Sequence, residues 1–355
     1  IRDRLYLLNL AEGQAREVTI EVVTDQLALQ PKLKGVMENV ASAHPAFDGK
    51  RVVVEARGEL FSVPAEKGYV ENLTQTSGVA ERYPAWSPDG RYIAYWSDRS
   101  GEYELTLLEP ETGKEQQLTN YGPGFRYKLY WSPDSKKLAF VDKAMTIKIY
   151  EVDNKRTIDV DQATRMFEGR LRGFSVSWSA DSKWMAYSKS LPNSNQAVFV
   201  FDLSAYNSQQ LTSGYYSVMQ PVFDPDGKYL FVLTNRSFSP SYSDFDNSFV
   251  YSNATQLAAI SLRKDVLSLL SPENDAVEPQ EEDDEQKEDA QEAAKPEKKK
   301  KKGKGADAED EKTPTDEGKS LEIDAEDFES RMVLLPEPAG NFGNIYAVAG
   351  KLIYH

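Results

Sequence analysis

Five basic residues recur at one offset along this chain. Arg57, Arg99, Lys143, Lys189 and Arg236 each stand eight to ten residues beyond an aspartate that opens a turn, namely Asp48, Asp89, Asp134, Asp181 and Asp226. If the elements carrying them stack side by side, the cations share one face and form a ring of positive charge on an otherwise acidic protein. Such a ring steers carboxylates, whether peptide termini or acidic side chains, over a long range. The plainer reading is that Arg and Lys solvate hairpin turns, with neighbours such as Asp98 and Asp142 neutralising part of the field. Other chemistry is sparsely provided. Cysteine is absent, which removes disulfides, thiolate metal sites and a thiol nucleophile. The two histidines are His44, just before a turn, and His355, and no Gly-x-Ser-x-Gly elbow occurs. A base for a serine nucleophile needs hydrogen-bond reach and an orienting partner, so no catalytic residue is assigned. No carboxylates cluster at ligand spacing apart from the turn aspartates, and neither a metal nor another cofactor is expected.

Positioning these cations requires a repeated element, and composition limits what that element can be. The 355 residues carry 42 Lys plus Arg against 57 Asp plus Glu, a formal charge of −15. That balance argues against nucleic acid, whose binders need a basic footprint to release counterions. At 40% apolar the chain can bury a core, yet its best apolar run, Tyr229 to Leu233, is only a strand's length, so no membrane span is expected. The chain begins at Ile1 without an initiator Met or signal peptide and stops in mid-strand at Leu352 to His355. It is expected to be an excerpt from a longer polypeptide.

The element is a repeat. Pro84-Ala-Trp-Ser-Pro-Asp-Gly90 returns as Leu129-Tyr-Trp-Ser-Pro-Asp-Ser135, Ser177-Trp-Ser-Ala-Asp-Ser182, Val222-Phe-Asp-Pro-Asp-Gly227 and, worn down, His44-Pro-Ala-Phe-Asp-Gly49. The turn aspartates are 41, 45, 47 and 45 residues apart, the length of a four-stranded propeller blade. In each copy an aromatic (Phe47, Trp86, Trp131, Trp178, Phe223) is expected to end an inner strand and to wedge between stacked blades. A turn follows in which Pro sets φ and Asp bonds the backbone beyond it. Next comes a β-branched and aromatic strand such as Tyr92 to Trp96 or Tyr229 to Leu233. The fold class is therefore all-β, a β-propeller of four-stranded antiparallel blades, with five full blades and two partial ones.

Residues 273–319 break the pattern, with 18 acids against 10 lysines and no aromatic, Leu or Ile. Such a composition buries too little apolar surface to offset chain entropy, and a disordered charged insertion is expected. Strand character returns at Leu321 to Asp324 and Ser330 to Leu335, then at Ile345 to Val348 and Leu352 to Tyr354 around Gly350. Residues 4–10 and 16–22 look like outer strands of a blade whose inner half lies upstream. Either the two partial ends close a six-bladed ring, or they belong to different blades.

Longer strings carry a resemblance. Val54-Glu-Ala-Arg-Gly-Glu-Leu-Phe-Ser-Val-Pro-Ala-Glu-Lys-Gly68, with Val79-Ala-Glu-Arg82, Pro84 to Gly90, Tyr95-Trp-Ser-Asp-Arg-Ser-Gly-Glu-Tyr-Glu-Leu105 and Tyr187-Ser-Lys-Ser-Leu191, resembles the bacterial tricorn protease homologues. The likeness runs along nearly the whole chain outside the charged insertion. The Trp-Ser-Pro-Asp-Gly repeat is shared with the translocation protein TolB and with peptidase propellers, whereas the Glu-Ala-Arg-Gly-Glu block is far more specific. The resemblance implies a six-bladed propeller, a seven-bladed one, a PDZ domain and a serine-peptidase core, assembled as a hexamer that degrades oligopeptides. Residues 1–25 would then close a preceding propeller, while 36–272 and 320–355 form most of the seven-bladed one, interrupted by 273–319. The implied function is a non-catalytic module that gates or guides oligopeptides to a peptidase core outside this segment. Its implied partners are those peptides, the PDZ and peptidase domains of the same parent chain, and further copies of that chain. The resemblance leans to the cytoplasm, with the periplasm as the alternative. Two other readings are a TolB-like protein-binding propeller and the propeller of a prolyl-oligopeptidase-type peptidase.

Overall fold

The computed structural model describes residues 5–21, 35–165, 168–243, 245–272 and 321–355. The chain divides into two units, Ile1–Val40 and Ala41–His355. In the first, β1 (Leu5–Asn9) and β2 (Gln14–Val18) form an antiparallel hairpin. Leu5, Leu7 and Leu8 lie exposed on β1. A lone two-stranded hairpin is marginal in water, so this apolar strand needs a covering surface. The charged insertion expected at 273–319 lies outside the described residues.

In the second unit, alternating side chains and short turns build five antiparallel four-stranded sheets in series. Blade one is β3 (Val40–Pro45), β4 (Arg51–Ala56), β5 (Glu59–Pro64) and β6 (Glu71–Asn72). Blade two is β7 (Glu81–Trp86), β8 (Ile93–Ser97), β9 (Glu104–Glu109) and β10 (Lys114–Gln117). Blade three is β11 (Tyr130–Trp131), β12 (Lys137–Val141), β13 (Thr146–Glu151) and β14 (Arg156–Gln162). A short helix, α1 (Glu168–Arg172), leads to blade four, which is β15 (Val176–Trp178), β16 (Trp184–Ser190), β17 (Gln196–Asp202) and β18 (Asn207–Gln210). Blade five opens with β19 (Val218–Phe223) and β20 (Tyr229–Thr234). A side hairpin, β21 (Ser241–Ser243) with β22 (Ser248–Val250), precedes its outer strands β23 (Gln256–Ser261) and β24 (Met332–Leu334). A further pair, β25 (Tyr346–Val348) and β26 (Lys351–Ile353), starts another sheet.

Strand periodicity explains why these sheets stack. Successive side chains point to opposite faces, so along β16 Met185 and Tyr187 join a core with blade three while Ala186 joins a core with blade five. Along β17 Phe199 and Phe201 face blade three, and Val198 and Val200 face blade five. Equivalent cores join blade one to two, two to three, and five to the β25–β26 pair. The tryptophans do sit at these joints. Trp131 Nε1 donates to Ala85 O of the preceding blade at 3.0 Å, and Trp178 Nε1 to Tyr130 O at 3.3 Å.

Two local expectations are corrected. Phe47 is not a blade wedge; it is 68% exposed in the turn. The closing bond Ala46 N–H to Arg51 O matches Ser87 N–H to Tyr92 O, so the turns are equal in length, Phe47 falls at the place of Pro88, and its ring covers Gly90 of the next blade. Leu321 to Asp324 forms no strand. It is an extended tie instead, with Leu321 N–H on Asp181 Oδ2 at 3.0 Å and Leu321 O accepting Trp184 Nε1 at 3.0 Å.

Candidate functional site

Four of the five marker aspartates are committed to their own turns, Asp48 through the Lys50 N–H; in blade five Asp224 accepts the Lys228 N–H and Asp226 is exposed. Ser87, Ser132 and Ser179 donate Oγ–H to Oδ1 of Asp89, Asp134 and Asp181 at 2.5–2.6 Å. The same Oδ1 atoms accept the N–H groups of Arg91, Lys136 and Lys183. The turns are also linked across blades, Asp89 N–H to Ser135 Oγ at 3.1 Å and Asp134 N–H to Ser182 Oγ at 3.0 Å. Burial works against ionising Asp134, but Lys137, Ser132 and the Lys136 N–H outweigh it and hold the carboxyl below its ordinary range. These groups stabilise turns and are not free for catalysis.

The five cations occupy the opposite blade ends, where the second strand meets the third. The sequence spacing finds that position; the structure decides what each charge meets. Arg57 and Gly58, at φ 57° and 85°, form the two-residue β4–β5 turn, which suits paired left-handed residues. Arg57 and Lys143 are exposed, and neither has an ion pair among the described residues. Arg99 is bonded by Glu115 of β10, whose other oxygen accepts the Tyr95 hydroxyl at 2.7 Å. Lys189 Nζ meets Asp161 of blade three at 2.7 Å, and Tyr187 donates to the other oxygen of that carboxylate at 2.8 Å. Arg236 meets Glu329 at 2.5 Å and lies over the Tyr216 ring. Burial and the bonded carboxylates push the Tyr95 and Tyr187 phenols up, so both stay neutral donors. Asp98 and Asp142, the expected neutralisers, instead cap the N–H groups of Ala80 and Thr146.

His44 is an inter-blade contact. Its Nδ1 lies 3.3 Å from the Trp86 N and 2.9 Å from Pro45 O and serves one of them according to tautomer, accepting from the first or donating to the second; burial lowers its pKa. His355 ties its backbone to Gly343. Among the described residues no group of three or more His, Cys, Asp or Glu is placed to hold a metal. No helix among them is long and apolar enough to cross a membrane.

Spacing did not show the irregularities of the inner strands. β7 and β19 each carry a bulge, with Tyr83 and Gln220 left-handed at φ 51° and 49° ahead of a proline. Bulges re-aim side chains and cluster near functional sites. Beside the second bulge lies a cleft of about 190 Å³, lined by Phe174, Ser175, Ser188, Ser190, Met219, Gln220 and neighbouring uncharged residues. The cleft lies between blades four and five, because Ser188 and Ser190 leave β16 on the side facing β19. Lys189 leaves on the other side, toward Asp161.

Comparison with known proteins agrees with this architecture. The Tricorn protease homolog of Saccharolobus solfataricus is 25% identical over 239 residues, 67% of this chain and 21% of that protein. The Tricorn protease of Thermoplasma volcanium is 28% identical over 220 residues, 60% of this chain and 20% of that protein. The crystal structure of the tricorn protease superposes with a TM-score of 0.63 at 17% identity, over 96% of this chain and 29% of that one, and shows a shared fold. The chain therefore spans about a fifth of the curated relatives' length. A family model described as the Tricorn protease second beta propeller domain matches residues 40–355, taking in all five blades and the β25–β26 pair, and the chain belongs to that family.

Proposed function

We propose that this chain is a non-catalytic propeller module of a tricorn-like serine peptidase, which gates or guides oligopeptides toward a peptidase core carried elsewhere in a longer polypeptide. The observation that carries the reading is the family match over residues 40–355 of a chain spanning only a fifth of its relatives. The sparse chemistry supports it, since four of the five turn aspartates, His44 and three of the five cations are already bonded within the fold. In this reading residues 1–25 close a preceding propeller, and the parent chain supplies the PDZ and peptidase domains and assembles as a hexamer. Electrostatic steering of acidic peptides falls to Arg57 and Lys143, whose charges are exposed and unpaired among the described residues.

The test uses the full-length parent. Arg57→Glu with Lys143→Glu lowers its turnover of acidic oligopeptides roughly tenfold at low salt, an effect that fades as salt screens the field. Turnover of neutral peptides stays unchanged. Peptide hydrolysis by the 355-residue chain alone would end the non-catalytic reading.

A further inference from the structure

The cleft between blades four and five lies at a position that another copy of the repeat fills with a carboxylate. The turn-closing bond sets the correspondence. Ala46 N–H to Arg51 O in blade one is the bond Ser179 N–H to Trp184 O in blade four. Ser87 N–H to Tyr92 O in blade two is likewise Asp224 N–H to Tyr229 O in blade five. Counting back along the inner strands from these bonds matches Ser42 to Ser175 and Tyr83 to Gln220. Counting forward along the second strands matches Glu55 to Ser188. The shared left-handed backbone, following proline and bulge support the match of Tyr83 to Gln220.

At the joint of blades one and two these positions make a carboxylate site. Glu55 is buried, and its Oε2 accepts the Ser42 hydroxyl at 2.5 Å and the Tyr83 N–H at 3.0 Å. At the joint of blades two and three, Trp96 takes the Glu55 position and bonds Tyr127 O through Nε1 at 2.8 Å. At the joint of blades four and five the position is Ser188, whose short side chain among the described residues reaches Gln196 Oε1 at 3.3 Å. The surrounding donors remain. Ser175 Oγ and the Gln220 side-chain amide have no hydrogen-bond partner among the described residues, and no side-chain acceptor among them meets the Gln220 N–H.

We propose that this cleft binds a carboxylate, from a peptide terminus or an acidic side chain, in the place that Glu55 fills between blades one and two. The cleft has the room and the donors of that arrangement without its acceptor. Hydrogen bonds to an ionised acceptor are shorter and stronger than neutral ones, so a carboxylate gains more there than a carboxamide of the same shape. No lining residue is acidic, and the nearby Asp161 charge is held by Lys189 on the far side of β16. That the carboxylate arrives on a peptide rests on the function proposed above; the preference for carboxylate rests on the repeat.

The test titrates the 355-residue chain with three N-capped peptides built from Ala, Gly and Ser, followed by amide NMR. One has a free C-terminal carboxylate, one is amidated and uncharged, and one is amidated with a single internal Glu. At least one carboxylate peptide binds fivefold or more tightly than the neutral one, shifting the Ser188 and Gln220 amides, and the two charged peptides distinguish the sources. Ser188→Glu supplies the missing carboxylate from within and abolishes the binding, while Ser175→Ala weakens it at least threefold. Equal affinity for all three peptides, or a cleft that holds only water and shows no shifts, overturns the proposal. So does unchanged binding by Ser188→Glu with native near-ultraviolet circular dichroism. If that variant does not fold, Ser175→Ala decides: unchanged carboxylate preference there overturns it. No peptidase core is needed, so failure here leaves the gating reading intact, and hydrolysis by the chain alone leaves the carboxylate site intact.

Discussion

Glu81 shows what burial does to one ionisable group. Its side chain sits without exposure at the start of the β7 bulge; Oε1 accepts the Thr76 hydroxyl at 2.7 Å, while Oε2 has no hydrogen-bond partner among the described residues. Burial penalises the charged form and outweighs the bond from Thr76 and the pull of Arg99, so the pKa is raised. A carboxyl with a folded pKa above its unfolded value stabilises the fold most below the ordinary glutamate range, near pH 4, and that contribution is lost as pH rises through the folded value. Glu81→Gln stays neutral at every pH. It is expected to flatten the fall in melting temperature between about pH 4 and pH 7 and to raise the neutral-pH midpoint by about 2 °C. Paired melts across that range check it, and an unaltered slope in the variant contradicts the assignment. The residue scale also shows the reach of sequence spacing. It placed Arg99, Lys189 and Arg236 beyond the second strand, and Lys189 lies within β16; their acceptors are 16, 28 and 93 residues away, on β10, on β14 of blade three and in the 3-10 turn before β24.

At the scale of elements, the joint between blades is a strand-face contact with a few polar ties. Trp131 Nε1 is bonded to Ala85 O, whereas Trp86 Nε1 is buried without a partner among the described residues. The tyrosine and aliphatic packing around both rings is similar in kind. Trp131→Phe therefore loses an inter-blade hydrogen bond, a cost of about 0.5–1.5 kcal/mol beyond the change in ring size. Trp86→Phe removes an unsatisfied donor and is expected to cost clearly less. Chemical denaturation of both variants measures the difference, and equal losses would show that the Trp131 tie contributes nothing. The turn of blade one carries the other lesson at this scale. Pro-Ala-Phe-Asp-Gly resembles Pro-Ala-Trp-Ser-Pro-Asp-Gly letter by letter, yet two missing residues move the aromatic from strand end to turn tip. Only the closing hydrogen bond reveals the offset.

For the second unit as a whole, five stacked sheets leave two outer faces. On the β25–β26 pair Tyr346, Val348 and Ile353 are exposed. Repeats bury their cores against neighbours, and outer faces without polar caps drive association. The 355-residue chain is expected to associate in a concentration-dependent way, and Tyr346→Lys with Ile353→Glu is expected to suppress this. Sedimentation velocity over a dilution series reads it, and a monomer at every concentration without these changes would show that those faces are inert.

The amino-acid sequence by itself determined the blade, its period, its Ser-Pro-Asp-Gly turn and the hairpin end on which each cation sits. These features depend on alternation and on hydrogen bonds between residues a few positions apart, so they are written locally. Tertiary structure alone decided which cations meet a carboxylate, which tryptophan finds an acceptor, and that Ser188 leaves open the space Glu55 fills. Those outcomes are set by what the neighbouring repeat presents across a packed joint, and no local pattern encodes the size and donors of a facing side chain from another blade.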